Sequence, residues 1–384
     1  MQSRIALMLT LLIAGCSAGT NSDEYLLYQK QPNVKHSSTS DSQNPSFQPL
    51  YSIGSTDDSG VILGNVSAIT IDQRGHVYVA DQGAVKILEF NADGEFVQEI
   101  GEKGRGPGEF QSITDLIVQK DKIYVWDAYA RKIEVFSLDG SYVNQIEMPD
   151  ANSGRMAEGP TDETITLLYS GDSDLFSSGY IAHVYNSQDF SKVATGIKQD
   201  DYYPLENNHQ IAMSIDPGNI VFDINRLHYV TFPYNGMIYN YIAEGANISS
   251  DGDDISGSSV IYPAFQILEQ DDPGKNKASI MGRTASGESI SILLNNESKG
   301  MHLFSCGDSK CILHFYTELD GTKSNVKYDV IDTDSGLINT ALVSTKEDAV
   351  YTKYQTASNG RLNLLAVSTS DPIPVVNVYQ LKFQ

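Results

Sequence analysis

The sequence predicts an all-β fold, a β-propeller built from four-stranded antiparallel blades. Three observations predict it: an internal repeat, four β-rich runs in each copy, and apolar runs too continuous for strands buried on one face only. The repeat is legible without gaps. Tyr78 and Tyr124, Asp81 and Asp127, Lys86 and Lys132, Phe90 and Phe136, Gly94 and Gly140, and Ile100 and Ile146 each stand 46 residues apart. Four strands of about six residues, with their turns, fill a unit of that length, which is the period of a propeller blade.

In the first copy the strands are expected at 68–71, 77–80, 86–90 and 96–100, separated by turn residues at Asp72–Gly75 and Asn91–Gly94. Val77–Ala80 and Ile123–Trp126 are unbroken apolar runs, as expected of strands covered by a neighbouring blade on each face. Later copies are degraded. Runs at 163–169 and 180–185 form one unit, and runs at 210–214, 219–222, 228–232 and 237–242 another. A further unit spans 290–315 with a strand at 328–331, and the last holds 348–351, 361–367 and 375–381. Residues 47–384 have room for about seven such units, but an insertion at 244–275 absorbs much of one. Six blades are therefore expected, with seven the alternative. An open ring would leave bare strand edges at both ends. The run Pro49–Ile53 is accordingly predicted to complete the last blade.

Charge narrows the partners. The chain has 384 residues, with 26 Lys and Arg against 49 Asp and Glu, a net charge of −23. Gripping a polyphosphate takes clustered cations, so nucleic acid is not an expected partner. Beyond the N-terminus no segment is long and apolar enough to span a bilayer.

The first residues read as an export label: Arg4, the apolar run Ile5–Ala14, then Gly15 and Cys16. Leu12–Cys16 resembles the bacterial lipobox. That resemblance implies a signal peptide at 1–15, cleavage before Cys16, and acylation of the new N-terminal cysteine. Several acyl chains, at about 0.8 kcal/mol per buried methylene, make a stable anchor where one would not. Ser17 follows the cysteine, and by the known sorting rule the absence of Asp there favours the outer membrane. Residues 16–46 are polar and Ser-rich, a flexible tether between the lipid and a propeller at 47–384. Export also suits the other two cysteines. Cys306 and Cys311 flank a Gly-Asp turn between two apolar runs, and a hairpin there sets the thiols opposite each other for a disulfide.

The stretch Gly101–Phe110 lies between two units carrying Tyr-Val-x-Asp and Ile-x-x-Phe and resembles the linkers of NHL-type repeat proteins. With the lipobox and the C-terminal run 371–382, the chain is similar to six-bladed β-propeller lipoproteins of Gram-negative bacteria. The resemblance implies a fold and a place in the cell envelope; it implies no reaction.

Several motifs have a structural reading that outweighs a chemical one. The glycine run 101–108 lacks the Gly-Lys-Ser/Thr of a phosphate loop and reads as an inter-blade connection. Asp81 and Asp127 end equivalent strands and are expected to cap the following turns. Asp251–Asp254 and Asp332–Gly336 resemble fragments of calcium loops without the full ligand series, and read as solvated acidic turns. His76, His183, His209, His228, His302 and His314 are scattered, with no metal-spaced pair and no nucleophile signature beside them.

The candidate binding residues are Trp126, Tyr129 and Arg131, at a strand end and the turn after it. An aromatic platform beside a guanidinium suits a sugar ring or a carboxylate, although Trp126 replaces the Ala80 of the preceding copy and so could fill inter-blade volume instead. The function expected is a lipid-anchored, non-catalytic propeller that recognises a protein or glycan, an outer-membrane transporter among the candidates. The alternative is a periplasmic metal-dependent enzyme of the lactonase or lyase kind. No cofactor and no metal held by side chains is expected; the ion such a fold could hold is calcium, bound by backbone carbonyls in a central channel.

Overall fold

The computed structural model describes residues 24–26, 46–54, 60–148, 154–159, 163–168, 180–198 and 373–382, together with individual strands between 219 and 368. Side chains are described over 48–54, 60–148, 154–159, 163–168, 183–193 and 373–380, and at Val330 and Lys382. Every described element is a strand. The chain is a β-propeller, and its blades follow one another along the sequence.

The first sheet contains Val66–Ile71, Val77–Asp81, Lys86–Phe90 and Phe96–Ile100, antiparallel and in chain order. The second repeats it with Ile113–Gln119, Lys122–Asp127, Lys132–Ser137 and Tyr142–Glu147. Within the repeat one detail changes. Val77 pairs with Ile71, whereas its counterpart Ile123 pairs with Val118, so the first turn of the second sheet is one residue shorter. The third sheet holds Arg155–Glu158, Thr164–Leu168, Tyr180–Asn186 and Lys192–Lys198.

Two later units differ from the sequence expectation. The fourth sheet starts at Asn219–Phe222 and continues through Leu227–Thr231 and Met237–Ile242 to Ser258–Pro263. Its last strand thus comes from the stretch taken as an insertion, and 210–214 lies outside the described residues. The run 290–315 is divided. Ser289–Asn295 pairs with Lys277–Arg283, and a separate four-stranded sheet contains Ser298–Ser305, Cys311–Asp320, Lys323–Asp332 and Ile338–Leu342. Within the expected tether, Glu24–Leu26 lies parallel to Ser291–Leu293.

Burial follows from stacking sheet on sheet. Val66, Ile69, Val77 and Val79 of the first sheet pack with Val376 and Val378 from the end of the chain. The other face of that sheet, with Tyr78, Ala80 and Ile87, packs on Leu116, Val125 and Phe136 of the second. Trp126, Ile133 and Val135 in turn meet Met156, Ile165 and Leu167 of the third. A strand covered on both sides must be apolar on both sides, which is why Val77–Asp81 is buried at every position.

The ring is closed by its ends. Ser46–Ile53 pairs antiparallel with Val375–Lys382, itself paired with Leu362–Ser368. Ser52 Oγ donates to Asn377 Oδ1 at 2.7 Å across this seam. The predicted joining of the two termini is therefore present, and 348–351 lies outside the described residues. The outer edges carry their own protection. In each of the first three sheets the outermost strand has one extra residue, a bulge, at Val97, Val143 and Val193. A bulge interrupts the row of unpaired backbone groups and makes the edge a poor template for another chain.

Candidate functional site

Antiparallel order places the loops between sheets and the turns between second and third strands at one end of the blades, here the upper end. The first turn and the last turn of each sheet lie at the lower end. At the upper end Asp81 is 2 % exposed and accepts four backbone N–H bonds: from Gly64 (2.8 Å), Asn65 (2.9 Å), Gly83 (2.8 Å) and Ala84 (3.2 Å). Asp127 does the same for Gln111 (2.6 Å), Ser112 (3.0 Å) and Ala130 (3.0 Å). Each carboxylate ties its own turn to the strand entry beside it. The expected capping role is what the structure shows.

The glycine-rich linker joins the first sheet to the second, as expected of an inter-blade connection. Gly101 has φ +68°, and a β-carbon there would lie 2.2 Å from the Phe110 ring, so no larger residue fits. Glu109 accepts from the N–H groups of Gly106 and Arg105, both at 2.7 Å, and these bonds hold its carboxyl below the usual range. Beneath the loop Lys132 Nζ pairs with Glu134 Oε1, both side chains buried. Lys132 Nζ also reaches the Glu109 carbonyl at 3.2 Å. Burial pushes the Glu134 carboxyl upward, against the opposing pull of Lys132. Sequence reading did not find this pair; lysine and glutamate two apart on an apolar strand was the available signal.

The structure separates the three candidate binding residues. Trp126 is fully buried in the core between the second and third sheets, against Met156 and Ile165. It fills inter-blade volume and is not part of a solvent-facing platform. Tyr129 projects from the turn at 74 % exposure, and Arg131, exposed and at φ 53°, ends that turn. The upper face therefore offers one aromatic and one guanidinium on a turn that Asp127 holds rigid.

At the lower end of the junction between the first and second sheets lies a polar network that the sequence did not announce. Glu89 and Asp72 are buried carboxylates. Arg74 Nε donates to Asp72 Oδ2 at 2.7 Å, and its Nη2 to the Tyr78 hydroxyl at 2.7 Å. His76 Nδ1 lies 2.8 Å from Glu89 Oε1, and Gln98 Nε2 donates to Glu89 Oε2 at 2.6 Å. Burial first, and then the two carboxylates, push the Tyr78 hydroxyl far above its usual range. Each acid here already has its donors, so the cluster stabilises the junction.

At the next junction the corresponding space is an open cleft of about 380 Å³ between the first turn of the second sheet and the last turn of the third. Gln119, Lys120, Lys122, Tyr124, Ser187 and Gln188 line it, with Asp121 the one carboxylate among the lining residues. The Tyr124 hydroxyl donates to the Ser187 carbonyl at 3.1 Å, and burial raises its pKa to about 12.

The remaining sequence candidates are less informative. His183 is fully buried between strands. Cys16, Cys306 and His209 lie outside the described residues, as do 251–253 and 333–336 of the acidic stretches. His228, His302, His314 and Cys311 lie on strands whose side chains are not described. Ser305, the last described residue before Cys306, pairs with Ile312. Among the described residues no helix is long and apolar enough to cross a membrane.

Fold and blade ends define the class, a β-propeller whose charged residues at the described blade ends are largely engaged in capping and ion pairs. Residues 55–249 match the family described as a domain of unknown function, DUF4934, and the chain belongs to that family. No curated protein matches the sequence. Among solved structures, a DUF4221 member from Bacteroides vulgatus is similar at 9% identity and TM-score 0.55, over 89% of this chain and 99% of the other. An exported protein from Bacteroides fragilis is similar at 13% identity and TM-score 0.51, over 94% of this chain and 100% of the other. A virginiamycin B lyase from Staphylococcus aureus gives 14% identity and TM-score 0.43, over 88% and 100%. At these identities the likeness concerns the fold alone.

Proposed function

We propose that this protein is a lipid-anchored β-propeller of the cell envelope that recognises a protein or glycan partner through the upper face of its blades, without catalysis. One observation carries the reading: Tyr129 stands in solvent on a turn whose backbone Asp127 immobilises, with Arg131 beside it. A rigid aromatic and a guanidinium, presented at little entropic cost, are what recognition requires. The export label at 1–16 supports envelope placement, with acylation at Cys16 and the outer membrane as destination. The NHL-type likeness of 101–110 supports the same setting. Six blades are the count we adopt: the first strands of successive sheets neighbour one another from Val66–Ile71 through Ile113–Gln119, Arg155–Glu158 and Asn219–Phe222 to Ser298–Ser305, and the closing sheet supplies the sixth. In an oxidising envelope Cys306 and Cys311 form a disulfide, adding about 2 kcal/mol through a short loop.

The test has two arms. Metabolic labelling with palmitate should mark the wild-type chain and not Cys16→Ser; equal labelling removes the anchor. For recognition, the protein is screened on a glycan array and photo-cross-linked in intact cells, with an outer-membrane transporter among the expected products. The doubly substituted Tyr129→Ala, Arg131→Ala protein should lose the interaction while keeping its melting temperature. Undiminished binding by that variant rules out the upper face.

A further inference from the structure

The lower ends of the first two blade junctions share a plan and differ in how it is completed. At the first, Tyr78 stands opposite Glu89 across the paired strands. The carboxylates of Glu89 and Asp72 there accept from Arg74, Tyr78 and, at Glu89, Gln98, and His76 Nδ1 lies against Glu89. At the second junction Tyr124 stands opposite Val135 in the same register. Val135, in the place of Glu89, is buried in the core between the second and third sheets, and the cleft lies beside Tyr124 between the two turns. Lys120 and Lys122 line it, and neither forms an ion pair among the described residues. Lys120 holds a left-handed backbone, φ 54°, as Val85, Arg131 and Phe190 do in other turns of the blades, so this conformation belongs to the turn.

We infer that this cleft is a binding site for a small anionic ligand, whose acid group is held by Lys120 and Lys122, the two cations of the lining. The chain carries −23 overall, and at this cleft two lysines share the lining with a single carboxylate. The volume, about 380 Å³, suits a molecule of monosaccharide size. Gln188 and the Ser187 hydroxyl offer hydrogen-bonding groups for its hydroxyls. Asp121 on the same lining disfavours a second acid group, so the ligand class is a singly acidic sugar, its acid a carboxylate or a phosphate. The site is at the end of the blades opposite Tyr129 and does not depend on the upper face.

Isothermal titration of the full chain at low salt with glucuronate, glucose 6-phosphate and glucose tests this. Saturable binding is expected for at least one of the acidic sugars and not for glucose, and the tighter of the two identifies the acid group. Lys120→Gln with Lys122→Gln should weaken it at least tenfold, with an unchanged melting temperature, and Tyr129→Ala should leave it as it was. The inference is overturned if neither acidic sugar binds better than glucose, or if the double lysine variant binds them as the wild type does.

Discussion

The ring of Tyr51 occupies the space that a β-carbon on Gly94 would need: such an atom would lie 2.5 Å from Tyr51 Cδ2. Tyr51 belongs to the N-terminal strand that pairs with Val375–Lys382, and Gly94, at φ +84°, closes the last turn of the first sheet. The glycine repeated at a 46-residue interval thus has a second use here. It admits the aromatic ring that seats the closing strand against the first blade.

That contact makes the seam sensitive to alkali. Burial, and then the nearby Asp93 carboxylate, raise the Tyr51 phenol from 10.0 to about 12. Between those values the unfolded chain has released a proton that the folded one retains, so stability falls as pH rises through the window. The loss is on the order of 2 kcal/mol by its upper end. Urea titrations from pH 9 to 12 should show a flatter profile for Tyr51→Phe than for the wild type. Parallel profiles would mean that the phenol is not protected in the fold.

Asp81 and Asp127 should be costly to remove although neither contributes to an apolar core. Replacing either with Ala strands three or more backbone donors, a cost of about 3 kcal/mol. Asn keeps the shape and one acceptor, and should cost less. Thermal denaturation of the four single variants checks the order, and an Ala variant melting with the wild type contradicts it.

Beneath the glycine loop, Lys132 and Glu134 test the asymmetry of buried charge. Lys132→Met alone leaves Glu134 buried without its cation, and about 3 kcal/mol or more is expected to be lost. Adding Glu134→Leu should restore most of that, because no charge is then stranded. A double variant less stable than either single one would show that the pair itself, and not its desolvation, stabilises the blade.

Trp126 and Tyr129, three residues apart, should respond in opposite ways. Trp126→Ala empties the core between two sheets and is expected to cost about 4 kcal/mol. Tyr129→Ala should change stability by less than about 0.5 kcal/mol, because its side chain lies in solvent. Chemical denaturation measures both. A destabilised Tyr129→Ala would mean that the ring packs on the turn and is not available to a partner.

Much of this architecture was legible in the residues. The 46-residue interval located the strands of the first two sheets, since Tyr78 and Tyr124 or Phe90 and Phe136 meet identical packing demands in each blade. The pairing of Ser46–Ile53 with the chain end followed from the cost of an open edge. The later units depart from the expected framing, with the run 290–315 divided between two sheets, because the regular spacing lapses there: Asp251-Gly252 and Asp320-Gly321 recur, but not at multiples of the 46-residue interval from Asp139-Gly140. At the blade ends, the capping by Asp81 and Asp127 was readable because it repeats. The Arg74 network was not, because it needs side chains from a turn and three strands of the first sheet to meet at one point, and the cleft beside Lys120 was not, because it joins segments that are distant in the chain.

Local pattern was enough to establish strand, turn and repeat, because hydrophobic periodicity and turn chemistry act over a few residues. Which side chain finds water depends on what the neighbouring blade brings. Trp126 and Tyr129 look equally fit to bind a ligand when read along the chain. Only the approach of Met156 and Ile165 from the third sheet buries one and leaves the other in solvent. In the same way Lys120 and Lys122 read as ordinary turn residues along the chain, and they line a cleft only because the turn holding Ser187 and Gln188 comes from a different blade.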